Sequence, residues 1–179
     1  MFGPLEAMLA GGGGVRIARV LVGAGPGSYS GTRVGIAVAQ GIAIARGCPA
    51  VAVPSIVAVD TSGQDALAIG DARRGHWWWA AIDAGRMAAA APELGDREAF
   101  QRAVEVADAD GRVIFSFDPP ESFGVEVAVE QKRPLASLLW QAWRDASAVC
   151  REAWAAAPPQ PCYLKPPHIT APKRPWLVG

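Results

Sequence analysis

The chain has 179 residues, 51% of them hydrophobic and 19% charged, which excludes a disordered polypeptide and predicts a core large enough to fold without staples. Lys+Arg and Asp+Glu number 17 each, so no excess of either sign favours nucleic acid or a membrane surface as a partner. Three cysteines, Cys48, Cys150 and Cys162, form no CxxC pair, and neither an 18-residue apolar run nor a basic n-region before an apolar core is visible. The expectation is a cytoplasmic α/β protein, with no membrane span and no signal peptide.

In chain order, Leu5–Ala10 reads as the end of a helix that Gly11–Gly14 stop. Arg16–Val22 is a strand rich in β-branched residues, Gly23–Gly31 a glycine-rich turn, and Thr32–Arg46 a helix closed by Gly47 and Pro49. Ala50–Val53 is a short strand, after which Pro54 and Ser55 start a helix to about Asp60. This alternation predicts a parallel βαβ unit. A second lobe follows. Ala66–Ile69 and His76–Ile82 form an antiparallel hairpin around Asp71–Gly75, Glu93–Val104 is a helix, and Arg112–Phe117 is a strand that Asp118–Pro120 break. Pro134–Ala156 is predicted as the longest helix, with Trp140, Trp143 and Trp154 as packing residues. The expected divisions are a first lobe over 1–63, a second over 64–156, and a proline-rich tail over 157–179, mostly extended and partly mobile.

The glycine loop is a candidate anion site. Gly25, Gly27 and Ser28 follow a strand and open a helix, where backbone N–H groups and the helix dipole favour negative charge. The loop lacks the GK[ST] ending of a phosphate loop and the spacing of GxGxxG, so the commoner reading is a tight crossing that needs glycine dihedrals. In the helix after it, Gly31, Gly35, Ala39 and Ala43 fall at i, i+4, i+8 and i+12, a stripe of small residues with Val34, Val38, Ile42 and Ala45 beside it. A helix apolar on nearly all sides is covered on more than one, by its own sheet and by another helix or another subunit.

Catalytic constellations are sparse. The two histidines, His76 and His168, lie far apart, and neither HxxxH nor GxSxG occurs, so no metal ligands are assigned. Asp71 and Asp83 could form an acid pair, although turn-capping aspartates are commoner. Asp60-Thr61-Ser62 resembles the phosphate-loop triplet of actin-like ATPases but follows a helix rather than an N-terminal strand.

Taken together, these residues resemble a known family. Gly25-Pro26-Gly27-Ser28-Tyr29-Ser30-Gly31-Thr32-Arg33-Val34-Gly35 is similar to the GPGSFTGxRxG signature of the TsaB (YeaZ) family. Val51–Ile56 resembles its V-x-V-S-S-L step, Asp71–Gly75 its DARxGE hairpin, and Cys162–Lys165 its terminal YLR; His76 stands where that hairpin has Glu and Pro54 where the step has Ser. The resemblance is strong over residues 20–83, weak over 84–156, and returns near 163.

It implies the two-lobed actin-like ATPase (ribonuclease H-like) fold, with a first lobe lacking the family's N-terminal strands and a strand Arg16–Val22 whose open edge a second copy or a partner covers. It implies a non-catalytic scaffold that pairs with its metal-bearing paralogue TsaD and, with TsaE, serves the threonylcarbamoylation of adenosine 37 of tRNA. No cofactor is expected on the chain itself, ATP or ADP being expected at the interface of the complex. A homodimer is expected in isolation, with no direct nucleic-acid contact and no peptidase activity. The expected interface residues are Gly31, Arg33, Val34, Gly35, Val38, Ala39 and Ile42. The alternatives are a small ATPase of the same fold using the glycine loop, and a degenerate homodimer without a role in tRNA modification.

Overall fold

A computed structural model describes residues 16–87 and 91–164, together with Gly3 and Ala7. Of the expected helix at Leu5–Ala10 only Ala7 is described, as helical; the rest of it, its glycine stop, and the tail beyond Leu164 with His168 lie outside the described residues. Strand β1 (Val20–Gly23) leads through the glycine loop into helix α1 (Tyr29–Arg46), which returns to β2 (Ala50–Val53). β1 and β2 pair in parallel, Val20 opposite Ala50 and Gly23 opposite Val53, so the expected βαβ unit is present. β1 is shorter than Arg16–Val22 because its ladder begins only where β2 runs alongside: Val20 N–H bonds Pro49 O, and before that the neighbouring chain turns at Gly47 with φ +60°. Among the described residues no strand pairs with the outer edge of β1.

α1 starts three residues earlier than expected. The Ser28 hydroxyl accepts the Gly31 N–H at 3.2 Å and caps the helix there. At the other end the left-handed Gly47 returns its N–H to the last carbonyls, as the sequence predicts. The expected helix from Pro54 to Asp60 is a single 3-10 turn, Ser55–Val57. Ile56, Val57, Ala58 and Val59 are all buried, and Leu135 N–H bonds Ala58 O at 2.9 Å, so this segment threads the core instead of presenting one helical face.

The second sheet has six strands in the order β5-β4-β3-β7-β8, with β6 also on β4. The hairpin of β3 (Ala66–Asp71) and β4 (Trp77–Asp83) is antiparallel as expected, and β3 pairs in parallel with β7 (Val113–Ser116). The short strands are β5 (Arg86–Met87), β6 (Glu93–Gly95) and β8 (Glu130–Gln131). Three expectations are corrected. Glu93–Gly95 is strand rather than helix, because it pairs with Trp77–Trp79; α2 (Arg97–Ala109) begins only after Asp96, whose carboxylate caps it through Ala99 N–H. The expected long helix from Pro134 is two, α3 (Ala136–Asp145) and α4 (Ala148–Ala155). Ala146 and Ser147 are extended between them, and Ser147 Oγ accepts the Cys150 N–H at 3.2 Å, which starts α4 afresh. The longest helix is therefore α1.

The pleat sends alternate residues of β4 to opposite sides. Trp78, Ala80 and Ile82 join β2, the Ser55–Val59 segment, Phe115 and α3 in one core, while Trp79 joins Leu67, Ile69, Phe100, Val104 and Phe123 in the other, under α2. Trp143 is buried as expected, its ring 6.1 Å from that of Trp154, whereas Trp140 is exposed.

Two contacts carry predictions. Gly70 lies opposite Trp78, and a Cβ there would sit 2.3 Å from the indole. Gly70→Ala should cost about 1–3 kcal/mol by overpacking, read as a fall in the urea midpoint. Buried Ser55 Oγ accepts the Gly25 N–H at 3.0 Å, and Ser55 N–H donates to Gly25 O at 2.8 Å. Ser55→Ala orphans a buried donor, so it should cost about 1–3 kcal/mol and speed hydrogen exchange at the Gly25 amide; an unchanged exchange rate would count against this latch.

Candidate partner-docking face of the glycine-loop helix

The glycine loop is turned into the protein. Ala24, Gly25 and Pro26 are buried, with Gly25 at φ +92°, a conformation that favours glycine, and the Gly25–Pro26 peptide cis. Ala24 N–H bonds Val53 O at 2.8 Å, and Ala24 O accepts the Cys162 N–H at 2.7 Å. The Gly25 N–H proposed for an anion is thus committed within the chain, to Ser55, while the Ser28 hydroxyl oxygen accepts in the cap of α1. Gly27 and Ser28 are left exposed, and a Cβ on Gly27 would lie 3.7 Å from the Phe117 ring. The loop serves to fix where α1 begins.

α1 has two unlike sides. Ile36, Ala39 and Ala43 are buried against the chain's own strands, and a Cβ on Gly35 would meet Val22 Cγ2 at 3.9 Å. From Gly35 onward the small-residue stripe is therefore the inward side. This corrects Ala39 as an interface residue, since it is 5% exposed, and leaves Gly35, Val38 and Ile42 half-buried at the flanks. Gly31, Arg33 and Val34 of the expected set do point outward. With them the structure exposes Ala37, Gly41, Ile44 and Ala45, which the sequence reading missed as interface positions. Val34 is 48% and Ile44 83% exposed, and Gly41 has open space above it. From Val34 to Ala45 this outer side carries no charged residue. The signal was present as the +3/+4 spacing of Val34, Ala37, Gly41, Ile44 and Ala45, but a second apolar stripe of similar character runs behind it.

A groove of about 730 Å³ borders Ile44, between the end of α1 (Gln40, Ala43, Cys48) and Pro158–Pro159 of the tail. Gln40 Nε2 donates to Pro159 O at 3.3 Å across it. At the other end of α1 the tail brings Tyr163 beside Tyr29 and Arg33.

The remaining sequence candidates are not brought together. Asp71 Oδ1 accepts Arg73 N–H within its own turn, and Asp83 Oδ1 pairs with Arg112 at 2.5 Å, so the two aspartates form no acid pair. Asp60 Oδ1 caps Ser62 N–H at 2.7 Å in a local turn. His76 is exposed, its Nδ1 3.0 Å from Arg74 O. Desolvation of its sulfur raises the Cys162 thiol above the ordinary cysteine range, the wrong direction for a nucleophile. Among the described residues no group of three or more His, Cys, Asp or Glu is placed to hold a metal, and no helix is long and apolar enough to cross a membrane.

A search of curated proteins returns no match. A solved structure from Pseudomonas aeruginosa, described as an uncharacterized protein with similarity to peptidase YeaZ, superposes with a TM-score of 0.62 at 22% identity, covering 90% of this chain and 81% of that one. YeaZ from the same organism superposes with a TM-score of 0.61, again at 22% identity, covering 89% and 81%. These likenesses show the fold, which is the two-lobed actin-like α/β fold, here with two strands described in the first sheet. The model of the family described as "TsaD: tRNA N6-adenosine threonylcarbamoyltransferase" matches residues 11–120, more than half of the chain. On that match, with the glycine-loop signature inside it, the chain belongs to the TsaD family, and its fold is that of the YeaZ structures.

Proposed function

We propose that this protein is the non-catalytic scaffold subunit of the machinery that makes N6-threonylcarbamoyladenosine at position 37 of tRNA, and that it acts by pairing with TsaD and holding it in its competent shape. Family membership supports a role in this tRNA modification. The observation that carries the finer reading is the outer side of α1: an exposed helix stripe of Val34, Ala37, Gly41, Ile44 and Ala45 with no charge across it. Water is a poor neighbour for such a stripe, and its small residues let a partner helix approach closely.

In this reading TsaE joins the pair, and ATP or ADP binds between subunits rather than in the glycine loop of this chain. Alone, the protein pairs through the same stripe with a second copy, which TsaD displaces. It works in the cytoplasm, without contacting tRNA directly and without peptidase or ATPase turnover of its own. The commitment of the Gly25 N–H to buried Ser55 supports the last point over a small-ATPase reading.

The test is to mix the purified chain with TsaD from the same organism and measure mass by light scattering after size exclusion. A 1:1 complex is expected. Ala37→Glu or Ile44→Glu places a carboxylate in the apolar contact and should weaken it at least about 100-fold, with the circular-dichroism spectrum of the free chain unchanged because both residues are exposed. A variant that binds as tightly as the parent would rule out this face.

A further inference from the structure

We infer that Arg33, held between Tyr29 and Tyr163, is a preformed acceptor for a carboxylate on the protein that docks on α1, and that it selects a different protein over a second copy of this chain. The inference rests on α1 being the docking face and adds the chemistry of the partner.

Three side chains from two distant segments meet at the start of α1. Arg33 Nη1 donates to Tyr29 Oη at 2.6 Å, and the guanidinium carbon lies 4.6 Å from the Tyr29 ring centroid and 6.0 Å from that of Tyr163. The rings stand 6.4 Å apart at 52°. Both are exposed, Tyr29 at 62% and Tyr163 at 48%. Tyr163 reaches this place because Cys162 N–H is bonded to Ala24 O, which ties the tail to the latched loop. The guanidinium has five donors in a fixed fork, of which the Tyr29 hydroxyl takes one. Stacking on aromatic faces orients the fork before any partner arrives, so little side-chain entropy is lost when a carboxylate binds.

Charge decides the class of occupant. The loop and α1 together (23–46) contain no Asp or Glu, and neither does the tail segment 157–164. Among the described residues no carboxylate pairs with Arg33, although the chain as a whole holds 17 acidic residues. A second copy presents the same acid-free face, so a two-fold contact through it leaves each Arg33 without a counter-charge. A partner with an apolar helix face and an Asp or Glu at its rim satisfies both parts at once. The fork suits a bidentate carboxylate, and Arg and Tyr are the residue types that concentrate binding energy at interfaces.

The test uses the full chain and TsaD, with affinity measured by calorimetry at low and high salt. Arg33→Gln should weaken the complex about 10- to 100-fold and flatten its salt dependence, while leaving any homodimer at least as tight as the parent's. Arg33→Lys keeps the charge but loses the fork and should recover only part of the loss. Tyr163→Ala, which frees the guanidinium, should weaken binding several-fold, and Val106→Ser, exposed on the helix α2 that covers the Phe100 core, should not. Arg33→Glu should be rescued by an acid-to-Lys change at the rim of TsaD. If Arg33→Gln binds within about twofold of the parent at the same salt slope while Ala37→Glu abolishes binding, the acceptor role is wrong and the docking face stands. If Ala37→Glu also binds normally, the docking face itself is wrong. If Arg33→Gln instead removes binding of a tRNA transcript to the free chain and spares TsaD, the anion is a phosphate and this inference falls.

Discussion

The reciprocal pair of hydrogen bonds between Gly25 and Ser55 anchors the first lobe. β1 and β2 share only four rungs of parallel ladder, and two strands are marginal by themselves. The latch adds a joint just beyond the ladder, where the loop leaving β1 meets the segment leaving β2. Because Ser55 is buried, both bonds are shielded from water, and opening either would strand a polar group in the core. Ala24 extends the joint in both directions, to Val53 through its N–H and to the tail through its carbonyl. Position 25 favours glycine for its positive φ; a Cβ there would meet Thr32 and Cys162 only at ordinary contact distances of 3.8 and 3.9 Å.

From this joint the direction of α1 follows. Ser28 caps the helix four residues after the buried Ala24, and the inward side then runs along β1 with Ile36 as its one bulky buried residue among small ones. The small residues at 35, 39 and 43 let an 18-residue helix lie close on a short sheet. Close approach on one side leaves the opposite side standing clear, and there the sequence places aliphatic and small residues where a solvent-facing helix ordinarily carries charges. Stability and recognition are thus divided between the two sides of one helix.

The second lobe anchors that arrangement. Its sheet contributes one face of β4, with Trp78, to the same core that holds β2 and the Ser55–Val59 segment, so the latch sits against a wide layer of packed side chains. The break between α3 and α4 belongs to this packing: Ala146 is buried at the bend, and α4 can then set Trp154 against Trp143. A straight helix through Ser147 would carry Trp154 elsewhere.

Local chemistry was legible in the sequence. The αL glycine at 47, the β-branched strand before the loop, the turn Asp71–Gly75 between β3 and β4, and the Gly-Pro-Gly-Ser signature each depend on neighbours a few residues away, and each leads to the observed element. The capping power of Ser28, Asp96 and Ser147 was equally local and would have corrected three helix boundaries. Tertiary structure decided the rest. β6 is a strand only because Trp77–Trp79 offer it an edge. α1 has apolar stripes on both sides, and periodicity cannot say which of two like stripes meets the sheet; the height of β1 and the latch choose Ala39 and Ala43. Arg33 and Tyr163 are far apart along the chain, and no spacing rule links them. The fold alone brings them together, by returning the tail to the carbonyl of Ala24.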